Sequence, residues 1–544
     1  MSPDKATSEL LGAVTQIAAD AAADAVISRK HKKRGPIRDN VEAFAVAILM
    51  AVLLKYFCLE AYQIPTSSMQ PTMMGSREAG VHDRLLVDKI RYEICEPKRW
   101  DITVFRYPIR KIQSYVKRCV GVPGDRLHIG GGNLYQCAAG VNEQNVLASP
   151  DKLTALRKPD ILHSRLWREI YPARRILDND SRILGTWFHG SAWTQDGEDL
   201  TANVAAGQSA RLSYPNGQGA ALTNLIWDGY PTAVAQAIRR EGNPTMAEAV
   251  QDARFEFAFT CEQAPTSFEL AMALALGQIG QKDRRFVFEC KEGKARLRGL
   301  LAGKEEAASE PFEFALSAGT TKFAFEHIDD FLVIWRNGTK VKELDAGKLK
   351  VVTDLPAGCA SLSLDVRGGG RLRLAGLHVA YDQHYTDDYV KPNNVIAVPE
   401  GHYFMMGDNT LASADSRAWT TIKVGMLPDG RLVDPRRHPE AKVLRGNKRA
   451  RGLADPVDAD ENPVVVPSRG QIAFTDELGE VYALTGKVGT TYNAEKLTFV
   501  EGDHVWTPEE ELTPFVPREH ILGRALVTFW PTWPAGPQRI GLIR

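Results

Sequence analysis

Ile64-Pro65-Thr66-Ser67-Ser68-Met69-Gln70-Pro71-Thr72-Met73 is the stretch on which the fold and chemistry of this 544-residue chain depend. Its two prolines exclude a continuous helix, because each lacks an amide donor and restricts the residue before it. Hydroxyl side chains lie between them, with Ser68 at the centre. A hydroxyl on such a segment becomes a nucleophile when a base lies beside it. Taken alone, the stretch is more often an ordinary polar turn, so its interpretation depends on the rest of the chain.

The composition is that of a folded protein with more than one domain, as the length suggests. The 67 Lys and Arg residues balance 67 Asp and Glu residues, so the net charge of zero favours no nucleic-acid partner. The cysteines form no C-x-x-C pair, and no zinc spacing is present. In an exported chain the last six could pair in ways the sequence leaves open, with Cys58 as the odd one. The seven cysteines of the chain are Cys58, Cys95, Cys119, Cys137, Cys261, Cys290 and Cys359.

The segment that precedes the opening stretch has the features of a membrane anchor. A basic run at 29–34 comes before an unbroken apolar run at 43–54. The apolar run is at the short end of the roughly 20 residues that a span needs, and basic residues stay on the cytoplasmic side. We predict a cytoplasmic basic arm over 1–40 and a transmembrane anchor over 41–60, with everything after it outside. The alternatives are a buried amphipathic helix and a cleaved signal peptide, although no small-x-small site follows directly.

Short β-rich runs follow the predicted anchor. Those at 102–105 and 115–122 are bounded by Pro, Gly and Asp turns, which is typical of a compact all-β unit. The glycines before Asn133 predict a hairpin turn and not a phosphate-binding loop, because no helix start follows them. Over 187–380 short alternating strands with regular turn signals indicate a sandwich or jelly roll.

Three segments resemble the catalytic boxes of the type I signal peptidases: residues 64–73, 115–125 and 407–417. These enzymes are membrane-anchored Ser/Lys endopeptidases that remove signal peptides from exported proteins. Further segments that resemble the family are 83–89, 99–105, 403–409 and 522–525. The resemblance implies a serine endopeptidase on the periplasmic side of the inner membrane, without metal or cofactor. Signal peptides of exported pre-proteins and the lipid bilayer would be its partners.

The expected fold is mainly β: a signal-peptidase-like protease core with an N-terminal transmembrane helix, an inserted β-sandwich and a second, smaller insertion. The run Phe-Leu-Val-Ile-Trp-Arg-Asn-Gly at 331–338 resembles a strand and turn of concanavalin-like sandwich domains, which bind protein or carbohydrate. Beyond the anchor, the predicted parts are 61–140 (first part of the protease core), 141–395 (inserted sandwich), 396–419 (catalytic loop), 420–514 (second insertion) and 515–544 (last strand and tail).

The resemblance assigns a role to each site residue by its position in the boxes. Ser68 matches the nucleophile and Lys117 the general base. Thr66 falls where a hydroxyl, together with the Ser68 amide, forms the oxyanion hole, and Ser413 falls where a hydroxyl orients the lysine. The charges that hold the catalytic loops correspond to Asp408, Asp415 and Arg417.

The chemistry of this pair can be argued from the residues themselves. A lysine with an ordinary pKa of about 10.4 is no base at neutral pH, but burial disfavours the ammonium and lowers the pKa. Lys117 lies in an apolar run, so a neutral amine that takes the proton of Ser68 is expected. An extended peptide substrate would add to the sheet as a strand. Ile64 and Met69 are expected to line pockets for its small residues.

One departure from the family pattern lies in the third box. Thr410-Leu411-Ala412 stands where the family commonly has Arg-Asp-Asn. The loop near Ser413 therefore lacks charged and amide partners that the family uses.

Two other functions remain open on the sequence. A self-cleaving Ser/Lys repressor-type protease would need an N-terminal DNA-binding domain, and the predicted anchor stands in its place. A non-catalytic, membrane-anchored surface-binding protein could use the sandwich on a protease-derived scaffold. The presence of Ser68, Lys117 and Ser413 together argues against the second alternative.

Overall fold

The computed structural model describes most of the chain after residue 35. The described residues are 36–76, 80–172, 182–215, 222–223, 248–276, 283–350, 357–386, 394–410, 413–450, 471–491, 494–530 and 541–543. The chain divides into two compact units between residues 60 and 61. Most of the predicted arm at 1–40 lies outside the described residues. Each of the seven cysteines is described, and none of them is in a disulfide.

The first unit contains a helix over Pro36–Leu53 that continues as a π-helical turn, Leu54–Cys58. Arg38, Asp39 and Glu42 lie in its first two turns, so its apolar run begins only at position 43. In the described part of the chain, no helix combines the length and the apolar character that crossing a membrane requires. The transmembrane helix predicted over 41–60 is therefore not confirmed.

The second unit contains most of the antiparallel sheet that carries the three boxes. Short β-rich runs with turn signals predicted these strands, and antiparallel pairing joins them. In spatial order the described strands are Leu59–Gln63, Arg84–Asp88, Ile521–Trp530, Ile102–Tyr107, Arg110–Gly121, His402–Met406 and Phe515–Pro517, with Gly541–Leu542 beside Ile521–Trp530. This core sheet brings the first, second and third boxes together although they are far apart in sequence.

Two smaller sheets and two α-helices accompany the core sheet in the described part of the chain. Arg126–Gly130 pairs with Asn133–Cys137, so the hairpin predicted at the glycines is confirmed. The left-handed φ values of Gly131 and Gly132, 59° and 90°, explain why glycine occupies this turn. The remaining elements are the strands Ile396–Ala397, Leu153–Ala155, Gly75–Ser76 and Val81–His82 and the helices Arg91–Ile94 and Asp160–Leu166.

The inserted region forms a β-sandwich in which two sheets, as far as they are described, share one apolar core. Ala253–Cys261 shows why: its residues alternate between buried and partly exposed, with Phe255, Phe257 and Phe259 facing inward. Phe268 of one sheet stacks on Phe323 of the other with ring centroids 4.9 Å apart. Sheet-on-sheet packing of this kind confirms the predicted sandwich.

The strands of the sandwich run from Arg168 to Tyr381. In the first sheet they are Trp193–Asp196, Asp199–Val204, Gly370–Tyr381, Ala253–Cys261, Gly319–Ile328, Phe331–Arg336 and Thr339–Asp345, with Arg168–Tyr171 beside Gly370–Tyr381. In the second they are His189–Ser191, Ser209–Tyr214, Ala357–Arg367, Ser267–Leu276, Arg284–Lys291, Lys294–Leu301 and Lys304–Ala308, with Phe312–Glu313 beside Lys294–Leu301.

The sandwich starts later than the predicted boundary at 141, because Leu153–Ala155 still pairs with Asn133–Cys137. The second insertion is a further sheet with its own small apolar cluster. Its described strands are Leu432–Val433, Thr420–Met426, Lys442–Ala450, Gln471–Asp476, Val481–Thr491, Ala494–Glu501 and His504–Trp506, with Glu510–Leu512 beside Thr420–Met426. The mainly β architecture predicted from sequence is confirmed. Binding of protein or carbohydrate by the sandwich stays a prediction.

Candidate active site

Ser68 lies in a single 3-10 turn, Ser67–Met69, that follows the extended residue Thr66. Pro65 and the buried apolar residues on either side of the turn, Ile64 and Met69, account for this local shape. Ile64 and Met69 are buried in the core cluster below the turn, at 4% and 1% exposure. Ser68 itself is only partly buried, so its hydroxyl is held on a fixed turn that solvent can reach.

Lys117 lies in the strand Arg110–Gly121, opposite Thr103 of the neighbouring strand. Its side chain is 3% exposed, and its Nζ donates a hydrogen bond to Ser68 Oγ. The ring of Tyr115 lies 5.6 Å from the same nitrogen. The structure therefore brings the two principal sequence-predicted residues into direct contact.

The electrostatics around Lys117 favour a neutral amine. Burial lowers the pKa of this lysine to about 8, because the ammonium loses its hydration. The carboxylate of Asp415 partly offsets that effect, Arg417 adds to it, and Asp408 opposes it weakly. A substantial neutral fraction is therefore present at mildly alkaline pH.

Asp415 and Arg417 form a buried ion pair beside the lysine. The Nε and Nη2 atoms of Arg417 donate to the two carboxylate oxygens of Asp415, each over 2.9 Å. Both side chains are fully buried. Asp415 also accepts from the amide of Gly407 over 3.0 Å, and so the pair fixes the path of the loop that carries it. The supporting role that the sequence predicts for these two residues stays a prediction.

Asp408 is held by a second buried pair. Arg118 donates to both of its oxygens, Nε to Oδ1 and Nη2 to Oδ2, each over 2.7 Å. The hydroxyl of Thr72, in the first box, also donates to Asp408 Oδ2. Burial alone would raise the pKa of Asp408, but Arg118, together with Arg168 and Thr72, outweighs it and holds the pKa below its usual range. The first, second and third boxes are thus joined through one carboxylate.

Removing the charge of Asp408 is expected to destabilise the fold strongly. Asp408→Asn leaves the buried Arg118 guanidinium without its counter-charge, and breaking such a pair costs about 3–5 kcal/mol. Urea titration should show a free energy of unfolding lower by that amount. Asp199→Asn, which breaks a pair with the largely exposed Arg373, is the control and should cost under about 1 kcal/mol. Equal losses in the two variants would contradict this assignment.

The loop after Asp408 packs directly on the nucleophile turn. The amide of Asn409 donates to the carbonyl of Ser68, and its side-chain amide donates to the carbonyl of Ser67, each over 3.1 Å. A Cβ on Gly407 would lie 2.3 Å from the Ser68 carbonyl oxygen and 2.2 Å from Ser413 Oγ, so only glycine fits there. The position of Ser68 is therefore fixed by the third box as well as by its own turn.

The other predicted site residues lie near the pair, and their roles stay predictions. Thr66 is exposed beside Ser68, where the resemblance expects an oxyanion hole. Ser413 is 3% exposed, and its hydroxyl has no hydrogen-bond partner among the described residues, so orientation of Lys117 by that hydroxyl is not observed. Ile64 and Met69 pack in the core, and their role as pocket residues is likewise untested.

Sequence reasoning did not single out Arg118, Arg168 or Gln383. Arg118 had a local signal, because it follows Lys117 in a strand and must face the opposite side of the sheet. Arg168 and Gln383 had no local signal, since they precede their partner Asp408 by 240 and 25 positions in sequence.

The described residues contain one group of carboxylates spaced as metal ligands: Asp252, Asp329 and Asp382, all buried. Lys158 lies among them, with its Nζ against Asp329 and 2.7 Å from Asp382 Oδ2. The ammonium therefore already supplies positive charge to this group. The cluster ties the sandwich to the segment at Lys158, and it is separate from the Ser68 and Lys117 pair.

The segments that carry this site match a known protein family. Residues 37–166 and 368–434 match the family described as "Signal peptidase, peptidase S26". Over these two segments the chain is similar to the S26 signal peptidases. They contain Ser68, Lys117 and the loop from Gly407 to Arg417, and most of the sandwich falls between them. The resemblance drawn from the sequence, a signal peptidase with large insertions, is therefore confirmed.

The S26 segments also align with individual relatives. A "Probable signal peptidase I-1" of Synechocystis sp. is 34% identical over 132 residues, which are 23% of this chain and 64% of the relative. A "Signal peptidase I" of Pseudomonas fluorescens is 32% identical over 148 residues, 24% of this chain and 50% of the relative. The chain thus spans between half and just under two thirds of the relatives' length.

Solved structures also align with this chain, at low similarity. The carbohydrate-binding module CBM66 from Bacillus subtilis gives a TM-score of 0.22 at 8% identity, covering 36% of this chain and 96% of the module. A score this low supports no argument about fold or binding. The description of the sandwich rests on its own strands and core.

Proposed function

We propose that the protein is a serine endopeptidase that cleaves signal peptides from exported pre-proteins with a Ser68–Lys117 dyad. The single observation that carries the proposal is the hydrogen bond between Lys117 Nζ and Ser68 Oγ, made by a buried lysine with a lowered pKa. Buried groups with strongly shifted pKa values are typical of catalytic sites. The match of the surrounding segments to the S26 signal peptidase family supports this class of chemistry.

The reaction follows from the roles of the two side chains. Neutral Lys117 takes the proton of Ser68 as Oγ attacks the scissile carbonyl carbon. The C–N bond then breaks, and the ammonium of Lys117 gives that proton to the leaving amine. Water, deprotonated by Lys117, hydrolyses the resulting ester, so that the signal peptide leaves as a carboxylate and Ser68 is restored. The Ser68 amide and the Thr66 hydroxyl would stabilise the oxyanion, a donor type worth about 3 kcal/mol.

The substrate class is inferred from the relatives, whose printed names are signal peptidase I. For this chain we infer an extended peptide with small residues before the scissile bond. Main-chain hydrogen bonds to a strand edge would hold it. The partly exposed Ser68 is accessible to such a peptide.

We further infer that the first unit contacts a lipid bilayer, with the N-terminus on the cytoplasmic side and the catalytic unit outside. Support comes from the helix Pro36–Leu53 taken by itself, since its large apolar side chains are exposed around its circumference. Phe44, Ile48 and Leu49, for example, are each at least half exposed. An exposed apolar surface of this kind marks a contact with lipid or with another protein.

The test uses the full chain in detergent with a pre-protein that carries a small-x-small cleavage site. We expect one cut after the second small residue, identified by mass spectrometry of the mature N-terminus. A matched pre-protein with large residues at both small positions should remain intact. Cutting of both, or of neither, would contradict the proposal. Recovery of the chain in a carbonate-washed membrane pellet would support the lipid contact, and recovery in the supernatant would refute it.

A further inference from the structure

Arg168 belongs to the sandwich but its guanidinium lies in the protease core. It is the first residue of Arg168–Tyr171, a strand that pairs with Gly370–Tyr381 of the sandwich. Its Nη2 donates to Thr72 Oγ1 over 2.8 Å and lies 3.7 Å from Asp408 Oδ2. The residue is 9% exposed, and a buried guanidinium is stable only when it is paired. Its counter-charge here is Asp408 of the catalytic loop.

Gln383, just beyond the last strand of the sandwich, completes this contact. Its Oε1 accepts from Arg168 Nη2 over 3.1 Å, and its Nε2 donates to the main-chain carbonyl of Asp408 over 2.6 Å. The side chain and the main chain of Asp408 are therefore both held from the sandwich side. Because the next residue, Asn409, donates to the carbonyl of Ser68, a shift of Asp408 would be passed to the nucleophile turn.

The neighbouring loop positions are held from the same side. Thr410, where the family resemblance predicts an arginine, donates its hydroxyl to the carbonyl of His384 over 2.8 Å. Arg417 Nη1 donates to both the carbonyl and the hydroxyl of Thr386, each over 2.7 Å. Residues at the exit of the sandwich thus hold the loop at Thr410 and at Arg417.

We propose that Arg168, supported by Gln383, is a positioning residue for the catalytic pair, and that the inserted sandwich is a structural part of the active site. Arg168 touches neither Ser68 nor Lys117 in this arrangement. It acts through Asp408, Thr72 and the loop that bonds to Ser68. The planar guanidinium suits this task, since it donates to several acceptors in one fixed geometry, which a lysine cannot do. Of the two tests below, only the kinetic one rests on the proposed function.

The experiment compares full-length Arg168→Met, Arg168→Lys and the control Arg157→Met. Arg157 is a second arginine of this region, but its guanidinium pairs with Glu343 on the sandwich. In Arg168→Met we expect kcat for pre-protein cleavage to fall roughly 10- to 100-fold, as small displacements of reacting groups do, with KM within about twofold of wild type. Arg168→Lys should recover part of the loss, and Arg157→Met should match wild type.

A second readout does not depend on cleavage. Hydrogen exchange of the Asn409 and Gly407 amides, which bond to Ser68 and Asp415, should speed up in Arg168→Met and stay at the wild-type rate in Arg157→Met. If Arg168→Met fails to fold, Gln383→Leu removes the bond to the Asp408 carbonyl and should give the same pattern.

The outcomes separate the two proposals. Wild-type kcat and exchange in Arg168→Met would overturn the positioning role, as would equal losses in Arg168→Met and Arg157→Met, which would indicate a general loss of sandwich stability. If the wild-type chain cleaves no pre-protein, the proposed function fails. In that case the exchange rates alone decide whether Arg168 holds the loop.

Discussion

Replacing Ser68 with alanine is expected to lower kcat for pre-protein cleavage by roughly 10⁴-fold or more. Alanine keeps the backbone amide and the 3-10 turn but removes the oxygen that attacks the carbonyl carbon and that receives the hydrogen bond from Lys117. No other hydroxyl contacts Lys117 in the described hydrogen bonds of this site. Single-turnover cleavage, with enzyme in excess over substrate, measures the chemical step directly.

The matched control is Ser67→Ala, on the same turn. The main-chain carbonyl of Ser67 accepts from Asn409 and Gln70, and these bonds do not need its hydroxyl. We therefore expect a rate within a few-fold of wild type. A rate that collapses in Ser67→Ala and survives in Ser68→Ala would move the nucleophile to the neighbouring position and would contradict the dyad.

Replacing Lys117 with methionine is expected to cost about 10²- to 10⁴-fold in kcat, the range typical for loss of a general base. Methionine fills a similar volume beside Tyr115 but accepts no proton. Arginine should not restore activity, because its guanidinium stays protonated at every accessible pH. Lys111→Met is the control on the same strand: its ammonium lies 3.5 Å from Glu477 and its side chain is partly exposed, so activity should not change.

If Lys117 is the base, the activity of the wild-type chain should depend on pH. Only the neutral amine of Lys117 can take the proton, and its pKa is lowered to about 8 by burial. Below that pH the neutral fraction falls tenfold per unit, so kcat/KM should rise with unit slope and level off above about pH 8. A flat profile through this range, or a midpoint near the ordinary pKa of lysine, would contradict the assignment of Lys117 as base.

How much of this site the sequence could predict depends on what each residue contacts. Ser68 and Lys117 could be named because short boxes with fixed residue types surround them, and the two residues are only 49 positions apart in sequence. The hairpin at Gly131 could be predicted for a similar local reason, since its left-handed backbone requires glycine. Local chemistry at these positions determines local structure.

Arg168 could not be predicted by such reasoning. It lies in a stretch with little periodicity, and its partners Thr72 and Asp408 are reached only after the sandwich has folded. The same limit applies to Ile64 and Met69, which pack in the core and whose predicted role in substrate pockets stays a prediction. An apolar residue beside a nucleophile looks the same in either environment until the packing around it is known.

The carboxylate of Asp408 accepts hydrogen bonds from residues that precede it by 290 and 336 positions. During synthesis, Ser68 and Lys117 leave the ribosome long before this carboxylate exists. A nascent chain therefore carries an unfinished centre until the sandwich and the loop with Asp408 have been translated, and only then can the contacts that join the three boxes form.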